Sequence, residues 1–143
     1  MKRYLFVLIL AAVAVASCGL FKKPILIDSV TGEKARIDAT DNPAMKDLIR
    51  DELGKRRIEL TGVTVKDVVE SNNIDYDYCV IADVQTPQGA VQCHIYSTDA
   101  KTVSKLVKGK SVIDVSGDFG RFFSLLDNYY TRVEVVRASI KIK

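Results

Sequence analysis

The sequence predicts a mainly β protein, a five-stranded barrel with one helix between its third and fourth strands and a short helix before the first. Three observations carry this. From residue 55 onward, apolar and β-branched residues gather in five stretches, near 58–69, 76–84, 90–96, 111–116 and 132–142, separated by turn-forming residues. Within that region Val103, Leu106 and Val107 have helical spacing, and they fall between the third stretch and the fourth. Gly62 interrupts the first and longest stretch, where an isolated glycine marks a bulge or a sharp bend. A strand that serves both sides of a barrel needs such a bend.

The chain of 143 residues has room for one ordinary domain, and its first part reads as a segment that is removed. Met1-Lys2-Arg3-Tyr4 is a short basic start, residues 5–16 form an unbroken apolar run, and Ser17 precedes Cys18. Basic, then apolar, then small is the build of a secretory signal peptide, here residues 1–17. The apolar run is short for a helix that crosses a bilayer, which needs roughly 20 residues. Val15-Ala16-Ser17-Cys18 resembles the lipobox of bacterial lipoproteins, in which the Cys sulfur takes a diacylglycerol and the cut falls before it. That resemblance implies lipidation of Cys18, with diacylglycerol and an N-linked chain such as palmitate, and a place in the bacterial cell envelope. Each buried CH₂ of such a chain contributes about 0.8 kcal/mol to attachment. Gly19 rather than Asp follows Cys18, which by the same resemblance implies the outer membrane, facing the periplasm. Removal of residues 1–17 leaves 126 residues with 19 basic and 18 acidic side chains, a net charge of +1. That balance excludes a strongly basic nucleic-acid binder, and the apolar content excludes a disordered chain.

The remaining elements follow in order. Residues 18–42 read as a tether, with a small hairpin pairing 25–30 with 34–37 across Thr31-Gly32. Asn42-Pro43 supplies a cap and a first-turn proline, and Met45, Leu48, Ile49 and Leu53 share one face before Gly54, so a helix is expected over 43–53. This helix and the barrel make one unit, residues 43–143. Ser71-Asn72-Asn73 turns the chain into the second strand, and Gln85-Thr86-Pro87-Gln88-Gly89 joins it to the third. Ser97-Thr98-Asp99 offers a cap for a helix over 99–108, ended by Gly109. The fourth strand is expected at 111–116 and the fifth at 132–142, with a long connection, 118–131, between them. Strand, strand, strand, helix, strand, strand is the element order of the OB-fold, a partly open five-stranded barrel.

Several local runs resemble the tRNA-anti-like family of OB-fold proteins of unknown function, many of them predicted bacterial lipoproteins. They are Leu60-Thr61-Gly62-Val63, Val91-Gln92-Cys93-His94-Ile95, and Leu106-Val107-Lys108-Gly109-Lys110 leading to Val112, Val115 and Gly117. The resemblance spans about 55–142 and implies the fold, with function left open. This chain departs from the pattern twice. An extra residue stands before Gly117, as in a bulge, and Asp118-Phe119 and Ala138-Ser139 stand where the family often has cysteines.

Binding is best sought among the aromatic residues. Tyr76 and Tyr78 follow the turn between the first two strands. Phe119, Phe122, Phe123, Tyr129 and Tyr130 crowd the segment between the last two, with Arg121 and Arg132 among them. In OB-folds these two loops flank the ligand face, so Tyr76, Tyr78, Arg121, Tyr129 and Tyr130 are the candidate ligand-binding residues. Aromatic rings there stack on bases or sugars; alternatively Phe122-Phe123 and Leu125-Leu126 form a helical turn packed on the barrel. His94 and Cys93 are neighbours in a strand and point to opposite faces. With Cys79 they fall short of the four ligands of a zinc site, so neither a metal nor another cofactor is expected. Cys79 and Cys93 read as buried free thiols, since a bridge requires one particular strand register. No nucleophile–base set, motif-spaced carboxylate pair or phosphate-cradling glycine loop is present. The expectation is a non-enzymatic lipoprotein that contacts a partner in the envelope. Oligosaccharide or nucleic-acid binding through the aromatic loops is the second reading. A hydrolase built on Asp75, Asp77 and Arg121 is the third.

Overall fold

The computed structural model describes residues 22–124 and 128–143; Cys18, Leu125 and Leu126 lie outside them. Its elements are β1 (Lys23–Leu26), α1 (Ile27–Ala39), α2 (Pro43–Gly54), β2 (Arg56–Glu70), β3 (Tyr78–Thr86), β4 (Gly89–Ser97), α3 (Ala100–Val103), β5 (Val112–Phe123) and β6 (Thr131–Ile142). Strands β2 to β6 close a barrel in the order 2-3-4-6-5 and back to 2. This is the OB-fold that the element order predicts.

Strand β2 explains how the barrel closes. Over 57–64 it pairs antiparallel with β5, and over 65–70 with β3. The switch follows a bulge between Leu60 and Val63, at Gly62, whose φ is +64°. That conformation carries little cost for glycine and a steric cost for most other residues. The Asp114 carboxylate fixes the bend by accepting the Gly62 N–H at 2.7 Å. On the far side β4 and β6 run parallel, with 91–95 paired to 131–135. Inside lie Ile58, Leu60, Val65, Val80, Ala82, Val91, Cys93, Ile95, Ile113, Val115, Val133 and Val135, all buried.

Three elements differ from their sequence-based expectation. The hairpin expected within the 18–42 tether is instead a strand and a helix. β1 adds in parallel beside 56–59 of β2, and α1 packs on the barrel with Ile27, Val30, Thr31 and Ile37 buried. α1 has no side-chain cap and contains Gly32, so its burial rather than its propensity fixes it; each buried Val or Ile contributes about 1.5–3 kcal/mol. Thr31 Oγ1, fully buried, meets Gln88 Oε1 at 2.7 Å and so ties α1 to the β3–β4 hairpin. The helix expected over 99–108 is one turn, α3. Asp99 caps it by accepting the Thr102 N–H at 3.0 Å, and Val103 is buried. The chain then leaves helical geometry, and the Gly109 N–H, at φ +72°, donates to Val65 O at 2.8 Å.

The largest correction concerns the fourth strand. β5 runs on to Phe123 and takes residues 118–123 of the expected 118–131 loop with it. Gly117 and Gly120 look like breakers in sequence, but here they allow close crossing of β6. A Cβ on Gly117 would lie 2.5 Å from Val135 Cγ1, and one on Gly120 would lie 3.0 Å from Glu134 Cβ. The register shifts between Ser116 and Asp118, and the additional residue is on β6, near Arg137. Phe122 and Phe123 are therefore strand residues rather than part of a helical turn.

α2 begins as expected. Asn42 Oδ1 accepts the N–H groups of Ala44 (3.0 Å) and Met45 (3.3 Å), and Ile49 and Leu53 are buried.

Candidate functional site

With Val91, Cys93 and Ile95 of β4 turned into the core, Gln92, His94 and Tyr96 project outward, towards the two loops expected to flank a ligand. The side chains there are nonetheless covered. Tyr96 is 1% exposed, Gln92 7% and Glu134, from neighbouring β6, 6%. The loop between β2 and β3 covers one end. The Tyr96 hydroxyl donates to Asn72 Oδ1 at 3.0 Å with Glu134 Oε1 3.5 Å away, and the Tyr76 ring lies 5.7 Å from the Tyr96 ring. Arg121 of β5 reaches across β6 to Glu134, Nε to Oε2 3.0 Å.

The other end is a second polar chain. Arg132 Nε donates to Gln92 Oε1 at 2.8 Å, and the His94 ring meets the same oxygen at 2.9 Å. Gln92 Nε2 donates to Asp83 Oδ1 at 3.2 Å. Asp83 Oδ2 takes the Lys66 ammonium at 2.7 Å and the Tyr129 hydroxyl at 2.8 Å, and Lys66 and Tyr129 also bond each other. Phe123 stands edge-on to His94 at 5.0 Å. Cations already lie near the rings: Lys66 is 5.1 Å from the Tyr129 centroid, and Arg121 and Arg132 are each 5.8 Å from that of Phe123. Such contacts are worth about 0.5–1 kcal/mol at exposed sites.

Electrostatics follow from this packing. Burial pushes the Tyr96 hydroxyl up to about 12, aided by the nearby Cys79 and Glu134. Burial likewise raises the Cys79 and Cys93 thiols to about 12, so neither is a thiolate at neutral pH. Both are free, as expected. Cys79 pairs with Tyr96 and Cys93 with Ala82, which puts them on opposite faces. His94 sits below the usual histidine value because of burial and then Arg132. Burial works against the Asp83 carboxylate, but hydrogen bonds from Lys66, Tyr129 and Gln92 outweigh it and hold its pKa low.

The sequence-predicted residues thus divide. Tyr76 and Arg121 lie at one end of the outer face of β4, beside Tyr96 and Glu134, and Tyr129 lies at the other, on Asp83. Tyr78 turns inward against the core. Tyr130 faces α1, its hydroxyl donating to Asp38 Oδ2 at 3.4 Å and its ring 5.8 Å from the Lys34 ammonium. Sequence reasoning missed Asp83, Gln92, Tyr96 and Glu134 as members of this surface. Their signal is the polar alternation at 92 and 94, and at 132 and 134, inside otherwise apolar strands. Asp75 and Asp77 are exposed on their loop, and the carboxylate that Arg121 meets is that of Glu134.

A second cluster surrounds Asp118 on the outside of β5. Arg137 holds Oδ2 through Nε and Nη2, both at 2.6 Å, Lys22 lies 3.3 Å away, and Arg57 Nη1 is 3.5 Å from Oδ1. Arg137 has φ +48°, an unfavourable conformation for a residue with a side chain. Its N–H donates to the Tyr76 hydroxyl at 3.1 Å, so the strained bulge links the two clusters.

Among the described residues no group of three or more His, Cys, Asp or Glu is placed to hold a metal ion, and no helix is long and apolar enough to cross a membrane. No family model matches the chain, and no curated protein does.

Proposed function

We propose that this is a lipid-anchored protein of the bacterial envelope, held by acyl chains on Cys18, whose OB barrel binds a protein partner and catalyses no reaction. The observation that carries the binding reading is Ile74, wholly exposed at the loop between β2 and β3, with Val69 41% exposed at the end of β2. An isoleucine held fully in water beside an otherwise paired face gains by burial against another apolar surface. The polar groups of the β4 face are engaged with one another, and one side of its rings already meets cations. That arrangement favours a protein surface over bases or sugars, which need open rings and unpaired donors. The lipobox resemblance supports the anchor, and the tRNA-anti-like resemblance supports the barrel fold while leaving its activity open.

A photo-crosslinking residue at position 74 of the full-length protein in cells should give one discrete adduct, absent when the crosslinker is at Ser104. Labelling with a fatty-acid analogue should mark the protein and fail on Cys18→Ser. An unlabelled, freely soluble protein, or crosslinks no different between 74 and 104, would sink the reading.

A further inference from the structure

We propose that the end of the molecule carrying β1, α1 and α2 lies directly on the phospholipid surface, with Met45 and Leu48 in the headgroup layer and Lys23 and Arg56 over lipid phosphates. The proposal rests on the lipid anchor at Cys18. Between Cys18 and Lys22 stand only Gly19, Leu20 and Phe21, and four residue steps reach at most about 14 Å. Lys22 is fixed to the barrel: its ammonium donates to Gly54 O at 2.9 Å and pairs with Asp118 at 3.3 Å. No long flexible tether therefore separates the domain from its anchor, because the stretch that reads as one in sequence is β1 and α1.

The surface beside that attachment has the chemistry of a lipid contact. α2 leaves Met45 44% and Leu48 59% exposed along an open groove of about 330 Å³, walled by Ile25 and Arg56. Arg36 and Arg56 line it, and Lys23 pairs with Arg56 across β1 and β2, while the acids Glu33, Asp47 and Glu52 are already paired with Arg36 (2.6 Å), Arg50 (3.1 Å) and Lys55 (2.6 Å). Apolar side chains flanked by cations are the composition that seats a helix at an anionic bilayer surface. α3 lies at the other end. The turn after it is bound to Val65, whereas β1 pairs with the start of β2.

The test uses the full-length lipoprotein reconstituted in phosphatidylethanolamine–phosphatidylglycerol vesicles containing a spin-labelled lipid. A fluorophore is placed on Ala44→Cys or, separately, on Ser104→Cys; the native thiols at 79 and 93 are buried. Quenching at 44 should exceed quenching at 104 several-fold. A long Gly-Ser insert between Phe21 and Lys22 should remove most of that difference without releasing the protein, and so should Met45→Asp with Leu48→Asp in a variant whose melting is unchanged. Equal quenching at both sites, in protein whose acylated Cys18 is verified by mass, overturns the docking and leaves the anchor standing. A Cys18 without acyl mass, with Cys18→Ser bound to vesicles as well as the parent, overturns both.

Discussion

Asp118 is surrounded by more positive charge than it carries, and that imbalance makes its behaviour predictable. Burial opposes its ionisation, but Arg137 and Lys22 outweigh that and hold its pKa below the usual carboxylate value. A carboxylate depressed in the folded state lends stability that is present above the unfolded value, about 3.9, and lost as the pH falls through the folded one. Asp118→Asn should therefore cost about 1.5–3 kcal/mol at neutral pH, as for hydrogen bonds to a charged group, and should flatten the acid limb below pH about 4. Urea melts across pH measure both effects. His94 has a depressed value too, so its contribution is full above about 6.5 and declines as the pH drops through the lowered value. An NMR titration should place His94 below 6.5, and His94→Gln should remove that part of the decline. Neither role is legible in sequence. The partners of Asp118 come from positions 22, 57 and 137, and those of His94 from two strands. What the sequence does show is the alternation that turns both residues away from the core.

Elements were legible where burial follows a period and obscured where a glycine serves crossing rather than turning. The bend at Gly62 and the α2 cap are both read correctly from local residues. β5 is not, because Gly117 and Gly120 have the same sequence signature whether they end a strand or let another pass close by. Their difference is measurable: Gly117→Ala should destabilise by about 1–3 kcal/mol, the usual cost of overpacking. Gly32→Ala, in the middle of α1 with open space at its Cβ, should stabilise by about 0.5–1 kcal/mol. Thermal melts of the two variants should move in opposite directions. Phe122 packs against the core and against Phe119, centroids 4.8 Å apart. Phe122→Ala should cost about 2–4 kcal/mol, somewhat below a fully buried phenylalanine. α1 escapes detection for a related reason. Thr31-Gly32 reads as a turn until Val30 and Thr31 are seen to be entirely buried on the barrel.

At the scale of the whole molecule, the barrel order was the most legible feature, since five β-rich stretches and one helical interruption leave few ways to close. Less legible was how much of the N-terminal segment belongs to the fold. Ile25, Ile27, Val30 and Ile37 are all buried, at about 1.5–3 kcal/mol each, against a total of about 5–15 for a domain. A chain begun at Asp41 should accordingly lose its cooperative thermal transition, whereas one begun at Lys22 should keep it; circular dichroism distinguishes them. The parallel seam between β4 and β6 carries a different consequence, one of timing. β6 follows the other described strands in sequence, and it pairs with β4 on one side and β5 on the other. Until it arrives, both neighbours expose an unpaired edge and the barrel stays open between them. Closure therefore waits on β6: a partly folded barrel that lacks it keeps two edges open and offers them to any other strand that comes near.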